Sequence, residues 1–297
     1  MRPIQVSLGP FAAVSTTAIR TSTAAAAAGQ MVLNGALVTN NATATASIAG
    51  NVLTVTAIAS GDLGPGQFLT GAGMVAGTQI VSQGTGVSGI GTYYLNISQT
   101  LASGTIYSSQ VATLDNPRRI QIVSTGTESG RVFTIVGTDW FGGTVTETIT
   151  GVTSSAVSSK YSYKTVTSVS ISTASAANIS IGTTAYADSA PISMDSWALP
   201  SIMCQIDPLL GSITTNIQIS GDDPNNANIG YTGYAAPTYQ QMNWVNVPVA
   251  SLVGATAQVA AELSGVPVYI RAQVSNAGTD TAATVHVTFT QAGNVTF

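Results

Sequence analysis

The clearest pattern in the chain is alternation with a period of two. In Thr284–Gln291, "TVHVTFTQ", Val285, Val287 and Phe289 fall on one side, and Thr284, His286, Thr288 and Thr290 on the other. Successive strand side chains point to opposite faces, so this spacing predicts a strand with one buried and one wet face. Val268–Val274, "VYIRAQV", precedes it across the turn-rich "SNAGTDTA", and the two together predict a terminal hairpin. Arg131–Val136 and Thr144–Thr150 repeat the arrangement, with Thr138–Gly143 as the turn. Threonine occupies every even position of the second run. Val145, Glu147 and Ile149 share its other face, as Arg131, Phe133 and Ile135 share one in the first. A tight register would bring Arg131 to Glu147 as a cross-strand ion pair contributing up to ~1 kcal/mol. Ile213–Ser220 alternates as well, with Thr215 the one polar residue on the apolar side.

Between about Asn41 and Gln110 a glycine recurs every few residues. Glycine supplies the positive φ of tight turns, so short strands are predicted there at Asn51–Thr56, Thr78–Ser82 and Thr92–Ile97. Helical signals are few. Ala24–Ala28 is the one strong helix-forming run, stopped by Gly29, and Leu252–Leu263 could form a short helix interrupted at Gly254. The fold class this predicts is all-β: two β-sandwich-like domains, with a Gly-rich β module inserted in the first. Residues 1–40 would supply an N-terminal arm and the first strands of domain 1. Residues 41–110 would be the inserted module, 111–187 the remainder of domain 1, and 188–297 the C-terminal sandwich. The Ala- and Ser/Thr-rich first 30 residues are expected to order on assembly.

Composition changes the picture in one respect. Only 7% of the 297 residues are charged, while 44% are apolar and the net charge is −4. A chain this apolar folds rather than staying disordered. Ser, Thr, Asn or Gly interrupts every apolar run before the roughly 18 residues of a membrane span. The first 30 residues lack the unbroken apolar core of a signal peptide, because Gln5, Ser7, Ser15, Thr16 and Thr17 break it. A surface so poor in charge has little colloidal repulsion. It is expected to be covered in a larger assembly, although hydroxyls alone keep some β proteins soluble. The eight Lys and Arg are mostly scattered and give no basic stripe, so neither nucleic acid nor membrane is an expected partner.

The segments "LGPFAAVSTTAI", "GQMVLNGAL", "ATLDNPRRIQIVSTGTESGRVFTIVGTDWFGGTVTETITG" and "TVTSVSIS…ANISIGT" resemble a recurrent arrangement in virion structural proteins of tailed bacteriophages. The ending "VYIRAQVSNAGTDTAATVHVTFTQAG" is similar to the C-terminal strand pair of those proteins. Asn51–Ser108 resembles a Gly-rich module recurring in phage head and tail proteins. The resemblance touches most of the chain outside roughly 188–265 and brings no catalytic motif with it. It implies a non-enzymatic component of the particle, foremost a capsid decoration or cement protein. The partners it implies are the major capsid protein or other virion proteins and copies of the chain itself, a trimer being one arrangement. The implied location is the virion, assembled in the host cytoplasm. The alternative is a tail fibre or receptor-binding protein recognising host surface carbohydrate.

Candidate chemistry is sparse. His286 is the one histidine, so a Ser-His-Asp or Cys-His device must use it, the latter with Cys204, the one cysteine, and a multi-histidine zinc site is excluded. Cys204 lies in the apolar "SIMCQI", the setting of an inert thiol. "GTGVSG", Gly84–Gly89, has the spacing of a dinucleotide fingerprint. A β run follows where that fingerprint requires a helix, so the glycines read as turn formers. Asp222, Asp223, Asn225, Asn226 and Asn228 cluster in "GDDPNNANIG" without the spacing or closing Glu of a calcium loop. Trp140, Phe141, Tyr231, Tyr234, Tyr239 and Trp244 lie in or near predicted loops, where packing or an interface is favoured over sugar stacking. The expectation is no catalytic, cofactor-binding or metal site, and no cofactor.

Overall fold

The computed structural model describes residues 3–195, 201–224, 239 and 241–291. Twenty strands and one 3-10 turn account for its regular structure, and among the described residues there is no α-helix. In chain order the strands are β1 Ile4–Leu8, β2 Arg20–Ala24, β3 Gly29–Met31, β4 Val38–Thr39, β5 Ala42–Ser60, β6 Leu69–Gly71 and β7 Ile80–Gln83. There follow β8 Gly91–Ser108, β9 Val111–Ser124, β10 Val132–Thr138, β11 Thr144–Thr150, β12 Ala156–Ile171, β13 Asn178–Asp188 and β14 Ile192–Ser193. The last are β15 Ser201–Leu210, β16 Thr215–Ser220, β17 Val245–Asn246, β18 Val259–Ser264, β19 Tyr269–Val274 and β20 Thr284–Gln291. The fold class is all-β, as the alternating pattern predicts.

Three antiparallel sheets form. The largest runs β11-β10-β12-β9-β13-β19-β16-β17, with β2, β3, β4 and β14 paired along it. The second is β1-β20-β15-β18, and the third is β5-β8-β6 with β7 on β8. Each has an apolar core. Phe133, Ile135, Val145, Ile149, Tyr163 and Val169 sit in the core of the large sheet's first half. Ile202, Cys204, Ile206, Ile270, Ala272, Val287 and Phe289 sit between the second sheet and the large sheet's second half. Ala44, Ile48, Leu53, Tyr93 and Ile106 belong to the third. Ladder bonds carry the large sheet through the expected boundary near residue 188, because β13 pairs with β9 and also, at Ala187 and Asp188, with β19.

β11 matches its sequence reading residue by residue. Thr144, Thr146, Thr148 and Thr150 are exposed while Val145 and Ile149 are buried. β10 and β11 form the expected hairpin, its turn held by Asp139, whose carboxylate accepts from the Phe141 and Gly143 amides at 2.8 and 2.9 Å.

Four expectations are corrected. β19 and β20 do not form a hairpin. β19 pairs with β13, β14 and β16, and β20 pairs with β1 and β15. Both strands have an apolar face, and the 275–283 connection lets those faces meet across one core, with Ile270 and Ala272 on one side and Val287 and Phe289 on the other. A hairpin would have left that core unfilled. Arg131 does not reach Glu147. It precedes β10, and its Nε lies 3.1 Å from Glu128 Oε2. Glu147 instead accepts the Lys160 and Tyr161 amides at 2.7 and 3.3 Å. The two expected helices are absent. Five alanines are too few to nucleate a helix without help, and Ala24 closes β2 while Ala25 hydrogen-bonds to Ser175. At 252–263, Gly254 takes φ +69, Ala255 bridges to Thr215 and Val259–Ser264 becomes β18 on the edge of β15. Of the short strands expected in the Gly-rich stretch, Asn51–Thr56 and Thr92–Ile97 are parts of longer ones, while Thr78–Ser82 overlaps the short β7. β5 has 19 residues and β8 has 18, paired through bulges near Ser47 and Gly50.

The N-terminal residues are woven in rather than set apart. β1 borders β20, β2 borders β13, and β3 borders β12.

Candidate interaction surfaces

Two surfaces stand out from these sheets. The first belongs to the third sheet. Over residues 42–108 the only charged side chain is Asp62. Along β5, burial falls on Ala42, Ala44, Ala46 and Ile48, then shifts phase to Leu53 and Val55. That shift is the expected effect of a bulge, which adds a residue and turns the following side chains to the other face. The core is thereby filled, and several large apolar groups remain outside. Phe68, Val81, Val87 and Ile90 are each more than half exposed, and Tyr94 nearly so. Val81 is the bulged residue of β7, opposite the Tyr94–Leu95 step of β8, and Val87 and Ile90 lie in the loop joining those strands. The "GTGVSG" glycines are this same loop. The stretch is a turn followed by β8, and a Cβ on Gly86 would stand 2.5 Å from the Tyr93 ring. Gly86 lets the backbone close over an aromatic, and the element that follows is the strand β8, with no helix N-terminus there.

The second surface is a seam where β12, β13, β16 and β19 meet. Asp188, at the end of β13, is 3% exposed and fully engaged. Its Oδ1 accepts from Gln273 Nε2 at 2.9 Å, its Oδ2 accepts from Ser162 Oγ, and Arg271 Nη1 lies 3.4 Å away. Its backbone oxygen accepts from Trp140 Nε1 at 2.9 Å. Arg271 donates to Gln218 Oε1 through Nε and Nη2, at 2.9 and 2.7 Å, and stacks 4.3 Å from the Trp244 ring centroid. Burial pulls the Arg271 guanidinium below its ordinary pKa; Asp188 opposes this and Arg119 adds to it. Arg119, Lys160 and Arg271 line one cleft of about 130 Å³ with Asp188, Tyr161 and Trp244. Sequence reading missed this gathering, since three different strands supply the cations.

The aromatic candidates divide accordingly. Phe141 is exposed, 4.9 Å from Tyr239, which in turn meets Tyr269 edge-on at 5.8 Å. Trp140 lies under Lys164 at 5.4 Å. Tyr231 and Tyr234 lie outside the described residues, as do Asn225, Asn226 and Asn228 of the acidic loop. Asp222 of that loop accepts the Asn243 amide. Among the described residues no three His, Cys, Asp or Glu side chains are grouped to hold a metal ion.

Cys204 and His286 are not brought together. Cys204 faces inward opposite Phe289, and burial pushes its thiol up to about 12. His286 is paired with Asp207 of β15, on the partly exposed face of β20. In a strand these positions point to opposite sides of the sheet.

Comparison with protein-family models, with curated proteins and with solved structures gives no significant match.

Proposed function

We propose that this chain is a non-enzymatic structural protein of a tailed-bacteriophage virion, attached to the head as a decoration or cement component. The observation that carries the reading is the surface of residues 42–108, where one charge accompanies exposed Phe68, Val81, Val87, Ile90 and Tyr94. Apolar surface of this kind is a recognised mark of an interaction site. The outward threonine row of β11 supports the same reading, because hydroxyls hydrogen-bond a neighbour without the desolvation cost of charges. Attachment would come from buried apolar area and hydrogen bonds spread over several contacts. Multivalency then multiplies modest single-site affinities. Neighbouring copies in a closed symmetric oligomer, such as a trimer, would present those contacts together.

The resemblance of the sequence to phage virion proteins supplies the particle, and the surface supplies the manner of binding. Cryo-electron microscopy of intact virions tests both: density for this chain on the capsid shell is the expected result. Absence from the particle, with turnover of a small molecule by a purified monomer, overturns the proposal. Density at a tail tip, with binding to host glycans, would place it instead among receptor-binding proteins.

A further inference from the structure

A cavity of about 260 Å³ lies where the N-terminal strands meet the third sheet. Its wall is built by the turn between β2 and β3, and the loop after β6 closes it. Gln30 N donates to Met74 O at 2.7 Å, and Gly29, at φ +118, lies against the Gly73 and Met74 carbonyls. Ala24–Ala27 and Gly73 give the cavity small apolar walls, and no acidic residue lines it.

Two polar side chains at this cavity are almost wholly buried and incompletely partnered. Arg20 is 5% exposed. Its Nη1 donates to Val32 O at 2.5 Å, and its Nη2 to Thr23 O and Ala24 O at 3.2 and 3.4 Å. Its Nε has no partner, and among the described residues no carboxylate forms an ion pair with it. Gln30 is 4% exposed, and its Oε1 has no partner. A half-turn of that amide exchanges Oε1 for Nε2, so Gln30 can offer a donor. Asn34, also at the cavity, accepts from Thr21 N and Oγ1 at 2.9 Å each, which leaves its Nδ2 as the remaining donor. A buried cation without a counter-ion is costly, as is an unpaired amide, and an anion that accepts hydrogen bonds relieves the cation and, once Gln30 is turned to present Nε2, the amide as well.

We infer that this cavity binds a compact carboxylate, its anionic head held by Arg20, Gln30 and Asn34 and its short apolar body lying against Ala24–Ala27 and Gly73. The inference stands independently of the structural role proposed above. A free acid and the carboxyl terminus of another chain share this chemistry, and two probes separate them.

Isothermal titration calorimetry on the full chain would use isovalerate as the free acid, N-acetylvaline as the chain terminus, and isovaleramide as the neutral isostere. Saturable one-to-one binding of an acid is expected, with the amide at least tenfold weaker, since hydrogen bonds to a charged group are the stronger ones. Tighter isovalerate would identify a free acid, and tighter N-acetylvaline a chain terminus; either supports the site. Gln30→Leu is expected to weaken the acid about tenfold. Ala26→Leu, at an exposed wall position, is expected to abolish binding and leave the thermal midpoint unchanged. Equal binding of acid and amide, undiminished binding by Ala26→Leu, or no saturable binding of either acid overturns the inference.

Discussion

Residues 42–108 and the rest of the chain solve one problem in two ways. Both must fold a sequence rich in Thr, Ala and Gly. In the 42–108 segment the pairing is local: β5 returns on β8, its ends meet at Ala42 and Ser108, and Asn41 N donates to Ser108 O at 2.9 Å. Its core is apolar, and its buried polar residues are the neutral Thr70, Thr78 and Ser108. The remainder adds pairs far apart in sequence, β1 with β20 and β13 with β19, to local ones such as the β10–β11 hairpin, and it buries charge. Arg118 is fully buried beside Asp115 at 2.8 Å, Glu128 is 1% exposed against Arg131, and Asp188 holds Arg271. Long-range pairing carries a greater loop-closure cost and admits more wrong registers. A buried ion pair adds little net stability; two of these join residues three apart and keep their partners in any register, whereas a register that separated Asp188 from Arg271 would leave a charge uncompensated. Buried charge therefore specifies topology at the β13–β19 junction, through Asp188 and Arg271, and is absent from the local ribbon of residues 42–108.

The sharpest way to break the comparison is Asp188→Ala. It strands Arg271, Gln273 and Ser162, and should destabilise the charged part by roughly 3–5 kcal/mol. Chemical denaturation followed by Trp140 and Trp244 fluorescence should show this, while the 42–108 segment, followed by Tyr93 ring resonances, keeps its midpoint. Next is Tyr93→Ala. Removing a fully buried ring should cost about 3 kcal/mol in the segment alone. If either substitution shifts both transitions equally, the two regions are one cooperative unit and the contrast fails.

Gly86→Ala should cost about 1–3 kcal/mol, again in the segment alone, because the added methyl meets the Tyr93 ring. Cys204 sharpens the other side. Its folded pKa of about 12 lies above the 9.0 of a free thiol, so the neutral thiol is favoured by folding. That contribution is fully present below pH 9 and is lost as pH rises from 9 towards 12. Cys204→Ala should flatten this alkaline decline, measured as urea midpoint against pH. The smallest effect on the fold is expected from Thr146→Lys with Thr148→Lys. Both sit on an exposed face, so stability should change by less than about 0.5 kcal/mol. Particle attachment, read by co-sedimentation with virions, should fall if that face is an interface.

Much of the architecture was legible locally. Thr284–Gln291 and Thr144–Thr150 announce themselves because one face is buried and the other wet, and the side-chain period enforces the alternation. What alternation cannot convey is the partner. The pattern of Val268–Val274 is the same whether it lies beside Thr284–Gln291 or across a core from it, and the structure takes the second course. The length of β5 and β8 was hidden because glycines that suggest turns here sit in bulges and at Gly50, φ +65, within a continuous ribbon. The cationic seam was illegible for a related reason, since residues 119, 160 and 271 share a cleft only after β9, β12 and β19 are placed. Arg20 and Gln30 gave no signal at all; their importance lies in missing partners, which only coordinates reveal.

The ladder between β1 and β20 sets Ile4 against Phe289. A ribosome adding about 5–20 residues per second therefore leaves the first strand waiting roughly 15–60 s for its neighbour. Throughout that interval Leu8, later fully enclosed, lacks its ladder partner Val285. Nascent copies on one messenger could exchange these strands, so the pace of translation, as well as the finished contacts, bears on whether each chain closes upon itself.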